Sequence, residues 1–477
     1  MAPKISSGQR PDKRQSASQR ALRKTAAPQR GRQSHGISWP VLQSAHDAHA
    51  LALQFQLEET QWWPEEKLLA YQLRQIQNVI DHAADQVPFY RDRLKAFAGL
   101  PPGTLTLERF REIPLLTRDE IQAAGRELHS RTLPPIHGRP SPAKTSGSTG
   151  RPIEFLTTAI TGMMVLALTM RGHIWHQRDL SQKNVSLRPP RPNMPAGRAH
   201  RWAPVTRTGP GLLIDMRLPI NELFDRVAAE DPVYLQSHPY VILGLVERSE
   251  ATGIRFQNLR EVRTYGETLD PWIRAKCEAV WDVPIHDNYS AEEFGTIAHQ
   301  CPMTTNMHVQ AENVLVEVLD GENRPCRPGQ TGRTVITSLN NFATPFIRSD
   351  IGDVTILGAP CDCGRGLPVL KRVLGKSRNF IVRPTGERVF PDLYREFSAV
   401  APVRQHQLVQ TSLEIIEMKL AVTRPLSPEE ESALKDSIHT SLGYSFQLPI
   451  TYVDAIPREP SGKFRDIRSE VAGAGRL

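Results

Sequence analysis

Between Tyr234 and Tyr289 the chain alternates short runs of β-branched and aromatic residues with helical patterns, and this alternation restricts the fold more than any other feature. Tyr234-Leu235-Gln236, Val262-Arg263-Thr264-Tyr265 and Ile285-His286-Asp287-Asn288-Tyr289 read as strands, with helices predicted over Tyr240–Ser249 and Asp270–Ala279. Strands separated by helices of about 10–15 residues pair in parallel and build α/β units. From Val309 to Leu357 the texture changes. Alternating strands (Val314–Leu319, Gly332–Leu339) are separated by turns such as Asp320-Gly321-Glu322-Asn323 and Arg327-Pro328-Gly329, which predicts an antiparallel β subdomain. Beyond about residue 375 a separate α+β module is expected: strand Phe380-Ile381-Val382, a helix near Asp392–Ala399, strand Ser412–Ala421 and helix Pro428–Leu442.

The segments before residue 234 complete the outline. Leu68, Leu69, Leu73, Ile76, Val79 and Ile80 recur at helical spacing after Pro64, and the helix runs into an apolar-aromatic knot, Val87-Pro88-Phe89-Tyr90, expected to dock on the body. Leu105–Glu112 reads as a loop with one helical turn, and Thr117 with Glu120 three residues on predicts a capped helix start. Ala159–Trp175 is a strongly apolar helix whose methionines read as core. Residues 186–211, rich in Pro, Arg and Gly, read as a long excursion over a substrate site. The expected fold class is α/β with α+β: a large N-terminal domain of mixed sheets and helices (residues 37–374), a small C-terminal domain (375–467), and tails at 1–36 and 468–477.

At 477 residues the chain can bury a large core. Its net charge of +8 belongs to the amino-terminal tail, where residues 1–34 hold nine basic side chains and one acid; the remainder has 50 of each sign. A tail of Arg, Ser, Gln and Ala cannot bury a core and is expected to be disordered, although a presequence or a nucleic-acid-binding arm shares that composition. No apolar run of about 18 residues predicts a membrane span. Five cysteines without a signal peptide point to a reducing, cytoplasmic setting.

The chemistry is concentrated in a few short stretches. Lys144-Thr145-Ser146-Gly147-Ser148-Thr149-Gly150-Arg151-Pro152 sets hydroxyls and glycines in one loop, where backbone N–H groups can approach an anion and Arg151 adds donors. The Walker pattern does not fit it. There follow in order Tyr265-Gly266-Glu267, Tyr289-Ser290-Ala291-Glu292-Glu293-Phe294-Gly295, Pro345-Phe346-Ile347-Arg348-Ser349-Asp350-Ile351-Gly352-Asp353, Gly375-Lys376-Ser377-Arg378-Asn379 and Pro460-Ser461-Gly462-Lys463.

This ordered series resembles the adenylate-forming (AMP-forming acyl ligase) superfamily, and within it most the phenylacetate–CoA ligases, over about residues 50–467. The resemblance implies a mobile C-terminal domain and two half-reactions: a carboxylate and ATP give acyl-AMP and pyrophosphate, and the acyl group then passes to a thiol, usually of CoA. It implies that Ser146, Gly147, Ser148, Thr149, Gly150 and Arg151 hold the β- and γ-phosphates, with Arg151 where the family often has Lys. Tyr289 would lie against adenine, and Gly266 and Glu267 would line the adenine or acyl pocket. Glu293 would approach Mg²⁺, with Glu292 where the family usually has Ser or Thr. Asp353 would accept the ribose hydroxyls, and Lys463 would bridge the acyl carboxylate and the α-phosphate. Gly375–Asn379 stands in the place of the family's hinge, with Lys for its Arg and Arg for its acid.

Cys301, His308, Cys361 and Cys363 form a C-x6-H…C-x-C set that can close a structural Zn²⁺ site, as in some phenylacetate–CoA ligase relatives. Cys277 and Cys326 receive no role. The expected partners are a small carboxylic acid, ATP and CoA, with no membrane and with a homodimer left open. Delivery of the acyl group to an amine, hydroxyl or carrier-protein thiol remains an alternative, as does a degenerate interaction or nucleic-acid-binding protein.

Overall fold

The computed structural model describes residues 44–145, 152–190, 194–376, 381–389, 401–457 and 466–471. The amino-terminal tail, the Ser146–Arg151 loop, residues 377–379, the helix expected near 392–399 and Lys463 lie outside these residues. The compact unit spans His46–Leu477.

Two helices, α1 (Ala45–Thr60) and α2 (Glu65–Gln86), lead in. On α2 the predicted spacing holds: Leu68, Ile76, Val79, Ile80 and Ala83 are buried. The helix stops where a proline forces its predecessor out of the α region; Val87 is extended (φ −111°, ψ 112°) ahead of Pro88. The knot docks as expected, with Tyr90 fully buried and its hydroxyl donating to the Pro345 carbonyl at 2.9 Å. Short α3 (Leu107–Arg111) precedes α4 (Arg118–Ala124), which starts at a complete Thr117–Glu120 capping box. A small hairpin, β1 (Ser141–Lys144) and β2 (Glu154–Thr157), brackets the glycine-rich segment, and α5 (Ala159–Trp175) follows.

The body is one twelve-stranded sheet in the order β11-β12-β13-β14-β10-β9-β8-β7-β6-β3-β5-β4. β3 (Asn184–Leu187), β5 (Gly211–Ile214), β6 (Tyr234–Ser237), β7 (Glu261–Tyr265) and β8 (Ile285–Ala291) pair in parallel, while β4 (Ala199–His200) closes one edge antiparallel. β9 (Gly295–Gln300), β10 (Met307–Val309), β11 (Val314–Leu319), β12 (Thr331–Ser338), β13 (Ser349–Leu357) and β14 (Val369–Lys376) pair antiparallel. The predicted β subdomain therefore does not stand apart: the β8–β9 hairpin carries it on as an extension of the parallel sheet. The excursion expected over 186–211 is also shorter, because β3 takes its first residues and β4 lies within it.

One face of the parallel half is apolar. Val185, Leu187, Leu235, Val262 and Ile285 are buried under α6 (Ile220–Glu230), α7 (Pro239–Thr252) and α8 (Pro271–Trp281). Side chains alternate along a strand, so the other face takes the polar residues of the same strands. Helix α5 reaches that side at β9, where the His299 Nε2 lies 2.8 Å from the Leu168 carbonyl. Gly172 permits the approach, since a Cβ there would stand 2.9 Å from the His299 ring.

Toward the carboxyl terminus, β15 (Ile381–Val382) pairs with β16 (Arg388–Val389), and a four-stranded sheet has the order β19-β18-β17-β20. It comprises β17 (Val403–Gln410), β18 (Ile416–Val422), β19 (Ile450–Tyr452) and β20 (Ile467–Ser469). Helix α9 (Pro428–Leu442) has the predicted bounds; Ser427 caps it, Glu430 completes the capping box, and Gly443 ends it at φ 60°. Its Leu434, Ile438 and Leu442 face the sheet residues Leu408, Met418 and Leu420 in one cluster. β17 escaped the sequence reading, and β18 begins later than the predicted Ser412.

Candidate functional site

In an open parallel sheet, ligands bind beyond the carboxyl ends of the strands. Here that edge presents Arg188 after β3, His238 after β6, Gly266-Glu267 after β7, and Tyr289 near the end of β8. Gly266 adopts φ +79°, and a Cβ on it would come within 3.1 Å of the His238 ring. The positive φ lets the chain turn so that Glu267, nearly buried, sets its carboxylate 3.6 Å from the His238 Nδ1.

Tyr289 and Asp353 are brought together across the sheet. The Tyr289 hydroxyl donates to Asp353 Oδ2 at 2.7 Å, and Lys376, the last residue of β14, places its Nζ 2.7 Å from Oδ1. Lys376 is the register partner of Asp353 and also donates to the Ile351 carbonyl at 3.0 Å. Burial, followed by the adjacent Asp353 carboxylate, holds the Tyr289 phenol well above its ordinary range, so it serves as a neutral donor. The hinge lysine's contact was not foreseen, because its register depends on a strand pairing that sequence spacing does not reveal.

Glu293 sits in the tight turn between β8 and β9, closed by the Phe294 N–H bonding to the Ala291 carbonyl. Burial raises its pKa; Lys376 and Arg118 oppose the rise and the Asp353 charge adds to it. Tyr289, Glu293, Asp353, Lys376 and Arg118 therefore act as one electrostatic group. Neighbouring Glu292 is exposed.

The segment that leads into β13, the strand carrying Asp353, is fixed from behind. Arg348 adopts φ +48°, donates from Nε to Glu317 at 2.9 Å and from Nη2 at 3.1 Å, and also reaches the Ile113 carbonyl. Both partners are almost wholly buried. A buried pair of this kind is costly to break, and it ties Pro345–Ser349 to β11. The sequence signal for it was a single arginine within a run already noted for its aspartates.

The Cys/His set gathers as its spacing implied. The ligand atoms of Cys301, His308, Cys361 and Cys363 all lie within 4.8 Å of one another. Cys301 and Cys361 sulfurs are 3.9 Å apart, and Cys363 Sγ is 3.2 Å from His308 Nε2. Thiolates at about 2.3 Å from a tetrahedral ion stand about 3.8 Å apart, so this donor set fits a divalent metal with no open position. Burial pushes the Cys361 thiol up, but the Cys363 N–H, the Asn306 amide and the Thr304 hydroxyl outweigh it and bring it down to about 7, which favours the thiolate.

Residues 381–470 match the CapK C-terminal domain family. No curated protein sequence matches the chain. Among solved structures, the chain is similar to a 2-hydroxyisobutyryl-CoA ligase in the postadenylation state with its acyl-AMP: TM-score 0.70, 18% identity, covering 87% of this chain and 92% of that one. The same ligase with CoA in the thioesterification state gives 0.56 at 18% identity, covering 86% and 91%. An anthranilate CoA ligase with anthranoyl-AMP gives 0.53 at 15% identity, covering 68% and 64%. The fold is thus that of adenylate-forming ligases. No helix among the described residues is long and apolar enough to cross a membrane.

Proposed function

We propose that the protein is an AMP-forming acid–thiol ligase of the phenylacetate–CoA ligase type. It activates a small carboxylic acid with ATP and passes the acyl group to CoA. The observation that carries this reading is the Tyr289–Asp353–Lys376 group beside Glu293 at the carboxyl edge of the parallel sheet.

In the first half-reaction a carboxylate oxygen attacks the α-phosphorus and pyrophosphate leaves; in the second a thiolate attacks the acyl carbon and AMP leaves. Catalysis of such a transfer is chiefly positioning and charge stabilisation. Asp353 accepts the ribose hydroxyls: a carboxylate has about four acceptor sites, and Tyr289 and Lys376 occupy two. Tyr289 offers its ring to adenine while its hydroxyl fixes the carboxylate. Gly266 and Glu267 line the pocket wall. Ser146–Arg151 neutralise the departing pyrophosphate, and Lys463 draws the two reacting anions together. Glu293 would hold Mg²⁺, which supplies further charge neutralisation at the phosphates. Cys301, His308, Cys361 and Cys363 would hold a structural Zn²⁺, which would pin the segment after β9 to the turn before β14. The domains would divide near Gly375, so that Lys376 links the ribose site to the hinge.

ATP–pyrophosphate exchange over a panel of carboxylates, followed by AMP release with and without CoA, tests the assignment. Acid-dependent exchange and CoA-dependent AMP release are expected. Exchange without CoA-dependent release would move the acceptor to an amine, hydroxyl or carrier thiol, and no exchange with any acid would leave an interaction protein.

A further inference from the structure

The polar face of the parallel half, opposite the apolar one, carries more cationic charge than its own carboxylates offset. Register places Asn184, Tyr234, Glu261 and, one pair further along, Ser186, Gln236, Arg263 and His286 side by side on it. Arg188 and Tyr265 extend the same face toward the carboxyl edge. The strand repeat puts Tyr265 about 7 Å beyond Arg263, directly before Gly266 and Glu267.

At the deep end the charges are balanced. Arg178 Nε lies 2.9 and 3.0 Å from the two Glu261 oxygens, and His286 Nδ1 lies 2.9 Å from the same carboxylate. Glu261 is therefore fully engaged. Arg263 and Arg188 form no ion pair among the described residues. Arg263 donates to the Asn184 amide oxygen at 2.5 Å and stands 5.8 Å from the Trp202 ring; Arg188 stands 5.2 Å from the Tyr265 ring. The Nε of each is enclosed and has no hydrogen-bond partner among the described residues. Burial pulls the Arg263 pKa down to about 9, the mark of a cation short of counter-charge.

This face is also not sealed. Arg188, Gln236, Arg263, Tyr265 and Asn288 are only half-buried in the middle of a twelve-stranded sheet, whereas Val185, Leu187, Leu235 and Val262 on the other face are completely covered. Residues in the middle of a sheet that keep accessible surface leave room for a small ligand beside them, between Trp202 and the Gly266–Glu267 edge. Guanidinium groups without a counter-ion in such a place suit a carboxylate or similar oxyanion.

We propose that this face is the acyl subsite and that it takes a carboxylic acid bearing a second anionic group, with Arg188 and Arg263 holding the far anion. The inference rests on the ligase reading for the fate of the near carboxylate, while the recognition of the far one is independent of it.

The experiment compares matched acids, succinate against butyrate and isophthalate against benzoate, in ATP–pyrophosphate exchange by the full chain. At least tenfold higher kcat/KM is expected for one or both diacids over the matching monoacid. Arg188→Met should cut that preference at least tenfold through the KM for the acid, with the KM for ATP unchanged. Arg263→Met, with folding checked by circular dichroism, should do the same. Equal or better use of the monoacids, or a preference unmoved in Arg188→Met, overturns the proposal. Absence of exchange with every acid counts against adenylation, and the subsite is then read by thermal shift without ATP. A rise in Tm with a diacid that the monoacid does not give, and that Arg188→Met removes, upholds it; no such difference overturns it.

Discussion

The two ends of β9 show opposite ways of placing ionisable groups in a protein interior. At its start, Glu293 and the nearby Asp353 crowd two carboxylates around a buried phenol, held by Lys376 and Arg118, and burial raises the Glu293 pKa. At its end, Cys301 opens a Cys₃His set whose donors already stand at metal-ligand spacing, with N–H and O–H donors lowering the Cys361 thiol. The first arrangement stores electrostatic tension that a cation and a nucleotide would relieve. The second has its geometry settled before anything binds. On the proposed function, a site that changes occupancy and a site that keeps it would share one six-residue strand.

Breaking the settled end should have the largest effect. Cys361→Ser is expected to abolish stoichiometric zinc in the purified protein and to lower stability on the order of 5 kcal/mol, part of the about 10–16 kcal/mol that structural zinc supplies to isolated fingers. Metal analysis and denaturant unfolding check this; unchanged metal content and midpoint would remove the contrast. At the nucleotide end, Lys463→Ala should slow acyl-AMP formation about 10²–10³-fold while leaving thioesterification of supplied acyl-AMP mostly intact. Unchanged adenylation would show that another group bridges the two anions.

Tyr289→Phe sharpens the comparison further. Loss of its hydrogen bond to the Asp353 carboxylate should cost about 2 kcal/mol of stability with zinc content unaltered. A variant as stable as the parent would mean that the hydroxyl merely fills space. The smallest effect concerns pH. Because burial raises the Glu293 pKa, the folded state binds its proton more tightly than the unfolded chain does. That stabilisation is complete below the ordinary glutamate range and is lost as pH rises through the raised value. Glu293→Gln should flatten this part of the Tm profile, above the ordinary glutamate range. A profile of unchanged slope would place the tension elsewhere.

Much of the fold was legible where local chemistry decides structure. Helix α9 has its predicted bounds because Ser427, Pro428 and Glu430 fix its start and Gly443 its end. The strands at 234, 262 and 285 are apolar on one side and bounded by helices, and their parallel pairing followed. β3 and β5 were missed because each is four residues long beside Pro- and Arg-rich flanks. The continuity of the sheet was hidden, since it depends on a β8–β9 pairing that only the assembled core specifies. At the site, Tyr289 meets Asp353, and Cys301, His308, Cys361 and Cys363 gather in one cluster. Lys376 on Asp353 and His238 against Gly266 did not show, because neither contact leaves a trace in spacing. The cationic face behind Tyr265 was equally invisible, as it depends on four strands being in one register.

The pairing of β8 with β9 shifts between Tyr289 and Ser290. Such an irregularity marks the register, and a slip of one residue would turn Tyr289 to the opposite face of the sheet. Cys301 follows directly on β9, so a metal held there would clamp the strand at its far end and forbid the slip. The cluster would then act on the nucleotide site as a bookmark acts on a page, keeping the place of a residue it never touches.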